Sequence, residues 1–235
     1  MSSGRAPQGT LSARFPDAVA LAMEVHNRAR RLGTEIPYMA HLLVVAGLVI
    51  EDGGDQDEAI AALLHDAVED GGGRPMLERI RRGFGPRVAQ IVEGCSDTID
   101  GDPDDAWVER KTRYLEHLRG VRDDGILRVS LADKVHNARS IVRDYRASGS
   151  VLWERFTQKT AADQLWYYGQ LLALFSSLRP GPLTEDLWRA VGELAWLVSH
   201  DPAAGSEDVS AARDLGAAIE QRAREQPSQP GSSSR

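Results

Sequence analysis

The chain has 235 residues, 42% of them hydrophobic, and a formal net charge of -7. That length allows one large domain or two small ones, and the acidic balance argues against a general binder of nucleic acid or of an anionic membrane. One cysteine, Cys95, excludes an intrachain disulfide framework and a cysteine-based zinc site.

Residues 1–11 and about 225–235 are rich in Ser, Gly, Pro and Gln and are expected to be disordered ends. No apolar signal core opens the chain and no run approaches membrane-span length, so a cytoplasmic protein is expected. Between the ends almost every long segment has helical spacing. Helices are predicted over about 14–31, 38–52, 55–69, 75–84, 86–94, 104–120, 126–147, 151–177, 183–199 and 206–224. Breaks fall at Gly53-Gly54, Gly71-Gly72-Gly73, Gly101-Asp102-Pro103, Gly149 and Arg179-Pro180-Gly181-Pro182. The fold class is therefore all-α.

Along this series the first chemical candidates are Arg30-Arg31-Leu32-Gly33, which read equally as a helix C-cap with Gly33 as the stop. His41 follows in PYMAH, where a lone histidine after an aromatic is commonly structural. The densest cluster is LLHDAVED: His65, Asp66, Glu69 and Asp70 place one imidazole and three carboxylates within six residues. On a continuous helix over 55–69, Ile60, Leu63, Leu64 and Ala67 share one face, and the four polar residues fall broadly on the other. That face is either simply solvated or a ligand set for a catalytic divalent ion with acidic groups to activate water.

Lys111 sits on the apolar side of its helix, four after Trp107 and three before Tyr114, so it either snorkels outward or points at an anion. On the helix over 126–147, Leu127, Leu131, Val135, Ala138 and Val142 form a stripe, while Asp133 and Asn137 project together on the other side. His136 reads as a partly buried core histidine. Tyr167 and Tyr168 read as core packing or as the lining of a pocket.

The order His41 … His65-Asp66 … Asp133 resembles the H…HD…D signature of the HD-domain metal-dependent phosphohydrolases. IPYMAH, AALLHDAVED and SLADKVHNAR are similar to three blocks of the RelA/SpoT hydrolase domain and of the small alarmone hydrolases, over about residues 14–177. The resemblance implies an HD-domain helical bundle over 12–180; the helical spacing beyond it is expected to give a C-terminal extension over 181–224. The resemblance also implies one manganese ion per chain held by His41, His65, Asp66 and Asp133. Glu69 and Asp70 would orient and deprotonate the attacking water. Arg31 (or Arg30), Lys111, Asn137 and Tyr168 would contact the nucleotide, with Lys111 and Arg110 near the outgoing pyrophosphate. The implied reaction is removal of the 3′-pyrophosphate from guanosine 3′,5′-bis(diphosphate) or its pentaphosphate analogue.

The same metal site is compatible with an adenosine alarmone, the 2′-phosphate of NADPH or a nucleoside monophosphate, and a non-catalytic nucleotide sensor is the contrasting class. Gly71-Gly72-Gly73 stands where the best-known relatives carry Thr, and Ala40 where Asn or Ser is common. At this length the chain is expected to be a hydrolase without the synthetase and regulatory domains of the long bifunctional enzymes. Residues after about 180 lie outside the resemblance and are expected either to cap the pocket or to form a contact in a homo-oligomer.

Overall fold

The computed structural model describes residues 10–96, 106–158 and 160–225. Most of the two segments expected to be disordered ends, and the break at Gly101-Asp102-Pro103, lie outside the described residues. The helices are α1 (Arg14–His26), α2 (Met39–Glu51), α3 (Gln56–Leu64), α4 (Ala67–Asp70), α5 (Arg74–Phe84), α6 (Pro86–Cys95), α7 (Trp107–Gly120), α8 (Asp124–Ser148), α9 (Ala161–Leu178), α10 (Pro182–Ser199) and α11 (Ser206–Glu225). A 3-10 helix, Gly149–Arg155, follows α8. The described residues form no strand beyond one isolated antiparallel bridge between Arg30 and Pro37. The architecture is all-α.

Local chemistry starts the two helices that organise the core. Asp55 and Glu58 close a capping box on α3: Glu58 N donates to Asp55 Oδ1 at 3.0 Å and Asp55 N donates to Glu58 Oε2 at 2.9 Å. Asp123 caps α8 by accepting from the backbone N–H groups of Gly125 and Ile126. Every residue from Glu58 to Leu64 is buried, so α3 runs through the middle of the bundle. The 25-residue α8 lies alongside α2, α3, α6, α9 and α10 and ends at Gly149, whose φ of 59° suits a residue without a side chain.

An ion-pair network ties these helices together. Arg128 of α8 meets Asp52 at 3.1 Å, Glu58 at 2.5 Å and Asp124 at 2.6 Å. Arg179, just after α9, also reaches Asp52 and Asp124. The C-terminal helices join the same core. Leu187, Val191, Leu194 and Val198 of α10 are buried, and α11 packs on α9 and α10 with Arg222 over the Trp188 ring.

Three helix predictions require correction. The helix expected over 14–31 stops at His26, because residues 29–38 fold back on themselves: Arg31 N donates to Ile36 O and Tyr38 N to Ala29 O. Gly33 therefore serves this turn, with φ of 67°, and is not a helix C-cap. The helix expected over 55–69 breaks after Leu64, where His65 and Asp66 join α3 to α4. The segment expected as one helix over 151–177 is a 3-10 turn, a break around Phe156, and then α9, started by Thr160 as N-cap.

Candidate metal centre and adjoining pocket

The break between α3 and α4 places His65 and Asp66 at one point, instead of a helical step apart on a polar face. His65 is buried at 4% exposure, which rules out the solvated-face reading for it. Its Nδ1–H donates to Ala62 O at 2.8 Å, so Nε2 is the ring atom turned to the site. Asp66 Oδ2 lies 3.0 Å from that nitrogen. His41 arrives from the first turn of α2, and its Nε2 is 3.4 Å from His65 Nε2, 3.6 Å from Asp66 Oδ2 and 3.3 Å from Asp133 Oδ1. Asp133, from the middle of α8, is 3.7 Å from His65 Nε2.

His41, His65 and Asp133, from three parts of the chain, thus bring ligand atoms within 4.8 Å of one another, and Asp66 lies beside the two histidines. Ligand atoms about 2.1 Å from a shared ion sit roughly 3–3.5 Å from one another, close to the spacings found here. Two imidazole nitrogens with two carboxylate oxygens form a donor set suited to a divalent first-row metal. The electrostatics agree. Burial works against charge on His65, Asp66 and Asp133, yet the two carboxylates hold the His65 pKa well above its usual value. His65 and His41, with Lys134 acting on Asp133, hold the two carboxyls well below the usual range. A field that draws a proton onto His65 also favours a cation in that position.

A second ring of side chains holds Asp66, Asp133 and His41. The Tyr38 hydroxyl donates to Asp66 Oδ2 at 2.6 Å. Lys134 Nζ donates to Asp133 Oδ2 at 2.6 Å, and Asn137 Nδ2 to Asp133 Oδ1 at 2.6 Å. His136 Nδ1 lies 2.7 Å from His41 Nδ1. Sequence reasoning assigned no role at the centre to Tyr38, Lys134 or His136. All three lie inside the quoted blocks, Tyr38 three residues before His41 and the others one and three after Asp133, and that proximity was the available signal.

Tyr38, Lys134 and Asn137 also line a cavity of about 410 Å³ that opens beside the centre. Five cations face it (Arg30, Arg31, Lys111, Lys134 and Arg143) against one acid, Asp144. A chain of net charge -7 therefore carries a locally cationic pocket. Of the expected nucleotide contacts, Arg31, Lys111, Asn137 and Tyr168 all line it. Arg31 Nη2 donates to Asn137 Oδ1 at 2.7 Å, held there by the turn around Gly33. Lys111 Nζ lies over the Tyr167 ring at 5.5 Å, so this lysine turns inward. Tyr168 is buried, with its hydroxyl pKa raised by that burial. Trp107 and Phe156 supply flat apolar walls. No lining residue comes from α10 or α11.

Glu69 and Asp70 are placed differently. They lie on α4, one turn beyond Asp66, and are exposed; neither lines the cavity. Burial and the neighbouring Asp66 charge raise the Asp70 pKa above the usual carboxylate value. Its Oδ2 is 3.4 Å from Nδ1 of the buried His26.

Residues 18–160 match a protein family described as HD domain. Over 130 residues the chain is 38% identical to the guanosine-3′,5′-bis(diphosphate) 3′-pyrophosphohydrolase of Xenopus tropicalis, a match that spans 54% of this chain and 69% of that protein. A Synechocystis protein named "Probable guanosine-3′,5′-bis(diphosphate) 3′-pyrophosphohydrolase" is 33% identical over 125 residues, 53% of this chain but 16% of its own length. The solved structure of a metazoan orthologue of SpoT superposes with a TM-score of 0.61 at 24% identity, covering 77% of this chain and 95% of that one; it supports the fold. Among the described residues no helix is long and apolar enough to cross a membrane.

Proposed function

We propose, for a chain that belongs to the HD-domain family, the metal-dependent hydrolysis of guanosine 3′,5′-bis(diphosphate) and its pentaphosphate analogue at the 3′-pyrophosphate. The observation that carries this reading is the grouping of His41, His65 and Asp133, with Asp66 beside the two histidines, next to a pocket walled by five cations. The 38% identity to the Xenopus pyrophosphohydrolase supplies the substrate class. We assign the four residues as ligands of one ion per chain and take that ion to be manganese.

When bound, the ion supplies Lewis-acid polarisation of a phosphoryl oxygen and a lowered pKa for water. The residues of the chain do the rest. Arg31, held by Asn137, and Tyr168 orient the nucleoside end, with Trp107 and Phe156 as stacking walls. Lys111 and Lys134 offer positive charge where the pyrophosphate leaves. Glu69 and Asp70 accept the proton of the water that attacks the phosphorus bonded to the 3′ oxygen. The raised pKa of Asp70 makes it a stronger base than an ordinary aspartate. The bond from that phosphorus to the 3′ oxygen breaks, the oxygen takes a proton, and pyrophosphate departs. The acidic net charge and the lone cysteine suit a cytoplasmic enzyme acting on a small molecule.

The test is direct. Purified protein loaded with manganese is incubated with a panel of nucleotides and the products are identified by mass. Pyrophosphate and a nucleoside 5′-diphosphate from guanosine tetraphosphate are expected, with none from Asp66→Ala. Intact guanosine tetraphosphate overturns the substrate; orthophosphate release from another nucleotide redirects it.

A further inference from the structure

We propose that His26, the last residue of α1, is the positioning residue for the Asp70 carboxylate; the inference rests on the reading of Asp70 as a water-handling base. His26 is 2% exposed, and its ring stacks on Tyr38 with centroids 5.1 Å apart and planes 25° apart. Tyr38 is itself anchored by its hydroxyl to Asp66. The imidazole is therefore clamped on a residue that belongs to the metal centre. Its Nδ1 faces Asp70 Oδ2 at 3.4 Å, whereas its buried Nε2 has no hydrogen-bond partner. The tautomer follows from that asymmetry. A proton on Nε2 would be a buried donor without an acceptor, while a proton on Nδ1 meets a carboxylate.

The need for such a contact is also structural. Asp70 closes a four-residue helix and is followed by three glycines, so the backbone alone restrains it weakly. The packing of α1 on α4 compensates. A Cβ at Gly71 would lie 3.2 Å from Val25 Cγ1 and 2.4 Å from Ala67 O, so the end of α1 is seated against the end of α4. His26 then supplies a close polar contact at that seat, 3.4 Å from Nδ1 to Asp70 Oδ2. It links Tyr38 and Asp66 on one side to the acid that takes the proton of water on the other.

The experiment uses two substitutions in the metal-loaded protein. His26→Phe keeps the volume and the ring on Tyr38 but removes the N–H; His26→Asn keeps an N–H near the position of Nδ1. H26F is expected to lower kcat about tenfold with KM and bound metal unchanged, and H26N to recover most of the loss. The double variant H26F/D70N should be no slower than D70N alone. Wild-type kcat in H26F, or losses that multiply in the double variant, overturn the inference while leaving Asp70 in its role. Wild-type kcat in D70N removes the Asp70 reading and this inference with it. Should H26F not fold, the wild-type protein decides the matter by nitrogen NMR: a neutral His26 protonated at Nδ1, with a resonance that moves in D70N, is expected, and protonation at Nε2 overturns the proposal.

Discussion

His41 and His136 meet nitrogen to nitrogen, Nδ1 to Nδ1, at 2.7 Å. One of the two must donate. Burial, with the nearby His41 and Arg31, pushes the His136 pKa down to about 3, so its ring is neutral and can accept at Nδ1. Metal ligation through His41 Nε2 needs the His41 proton on Nδ1, where the neutral His136 ring can accept it. A neutral imidazole thus fixes the tautomer that metal ligation needs. His136→Ala is expected to weaken metal binding by about 10- to 100-fold, read by titration of the metal-stripped protein. An unchanged affinity would show that His41 holds its tautomer without help.

Chelation should abolish hydrolysis, and a divalent ion should restore it. The ion also bears on stability, since a ligand that binds only the folded chain stabilises it by about 2.7 kcal/mol at 100 times its dissociation constant. The melting temperature should therefore rise with added metal in the wild type and stay flat in Asp133→Ala. A metal-dependent rise in both proteins would move the ion elsewhere.

Lys111 points over Tyr167 into the cationic cavity. Lys111→Ala is expected to lower kcat/KM by about tenfold or more, equivalent to the loss of one charge-assisted contact of about 1.5–3 kcal/mol. The residual activity should depend less on salt than that of the wild type. Steady-state kinetics at two ionic strengths check both parts.

Arg128 holds the start of α3, the end of α2 and its own helix through Glu58, Asp52 and Asp124. The side chains of Asp52 and Glu58 are only 9% exposed, and removing the guanidinium takes away the 2.5 Å partner of Glu58 and leaves Asp52 with Arg179 alone of its two arginines. Arg128→Met should lower unfolding stability by about 3 kcal/mol, seen as a lower denaturant midpoint with an unchanged slope. Asp124, 61% exposed, should matter far less, and Asp124→Asn should shift stability by under about 1 kcal/mol.

Asp123 combines the cap of α8 with an ion pair to Arg87, and the Arg87 hydrogen bond holds its pKa below the usual value. A depressed carboxyl stabilises the fold above the unfolded pKa of about 3.9, and that contribution is lost as pH falls through the lower folded value. Asp123→Asn keeps a capping oxygen but not the charge. It should be less stable than wild type at neutral pH and converge with it in acid, as measured by urea unfolding at several pH values.

Much of the helical bundle was legible because apolar spacing and glycine breaks are local properties. The capping aspartates, Asp55 and Asp123, then fix the starts of α3 and α8 in the structure. Periodicity failed where tertiary contacts outweighed it. The polar run after Leu64 reads as one helix, but His65 turns its Nδ1 back to Ala62 and its Nε2 to residues 41 and 133, and the helix breaks there. His136 reads as an ordinary core histidine, and His26 carries no signal, because nothing within four residues of either explains them. Their partners are 44 and 95 positions away.

By itself, the sequence determined the kinds of ligand atom available and the helices that carry them, since side-chain chemistry and a 3.6-residue period need no distant partner. Only the tertiary structure decided which nitrogens face the centre, that Tyr38, Lys134 and His136 hold its ligands, and that the cations of an acidic chain collect in one cavity. Those outcomes depend on residues far apart in the chain being packed within hydrogen-bond distance, and no local pattern encodes such distances.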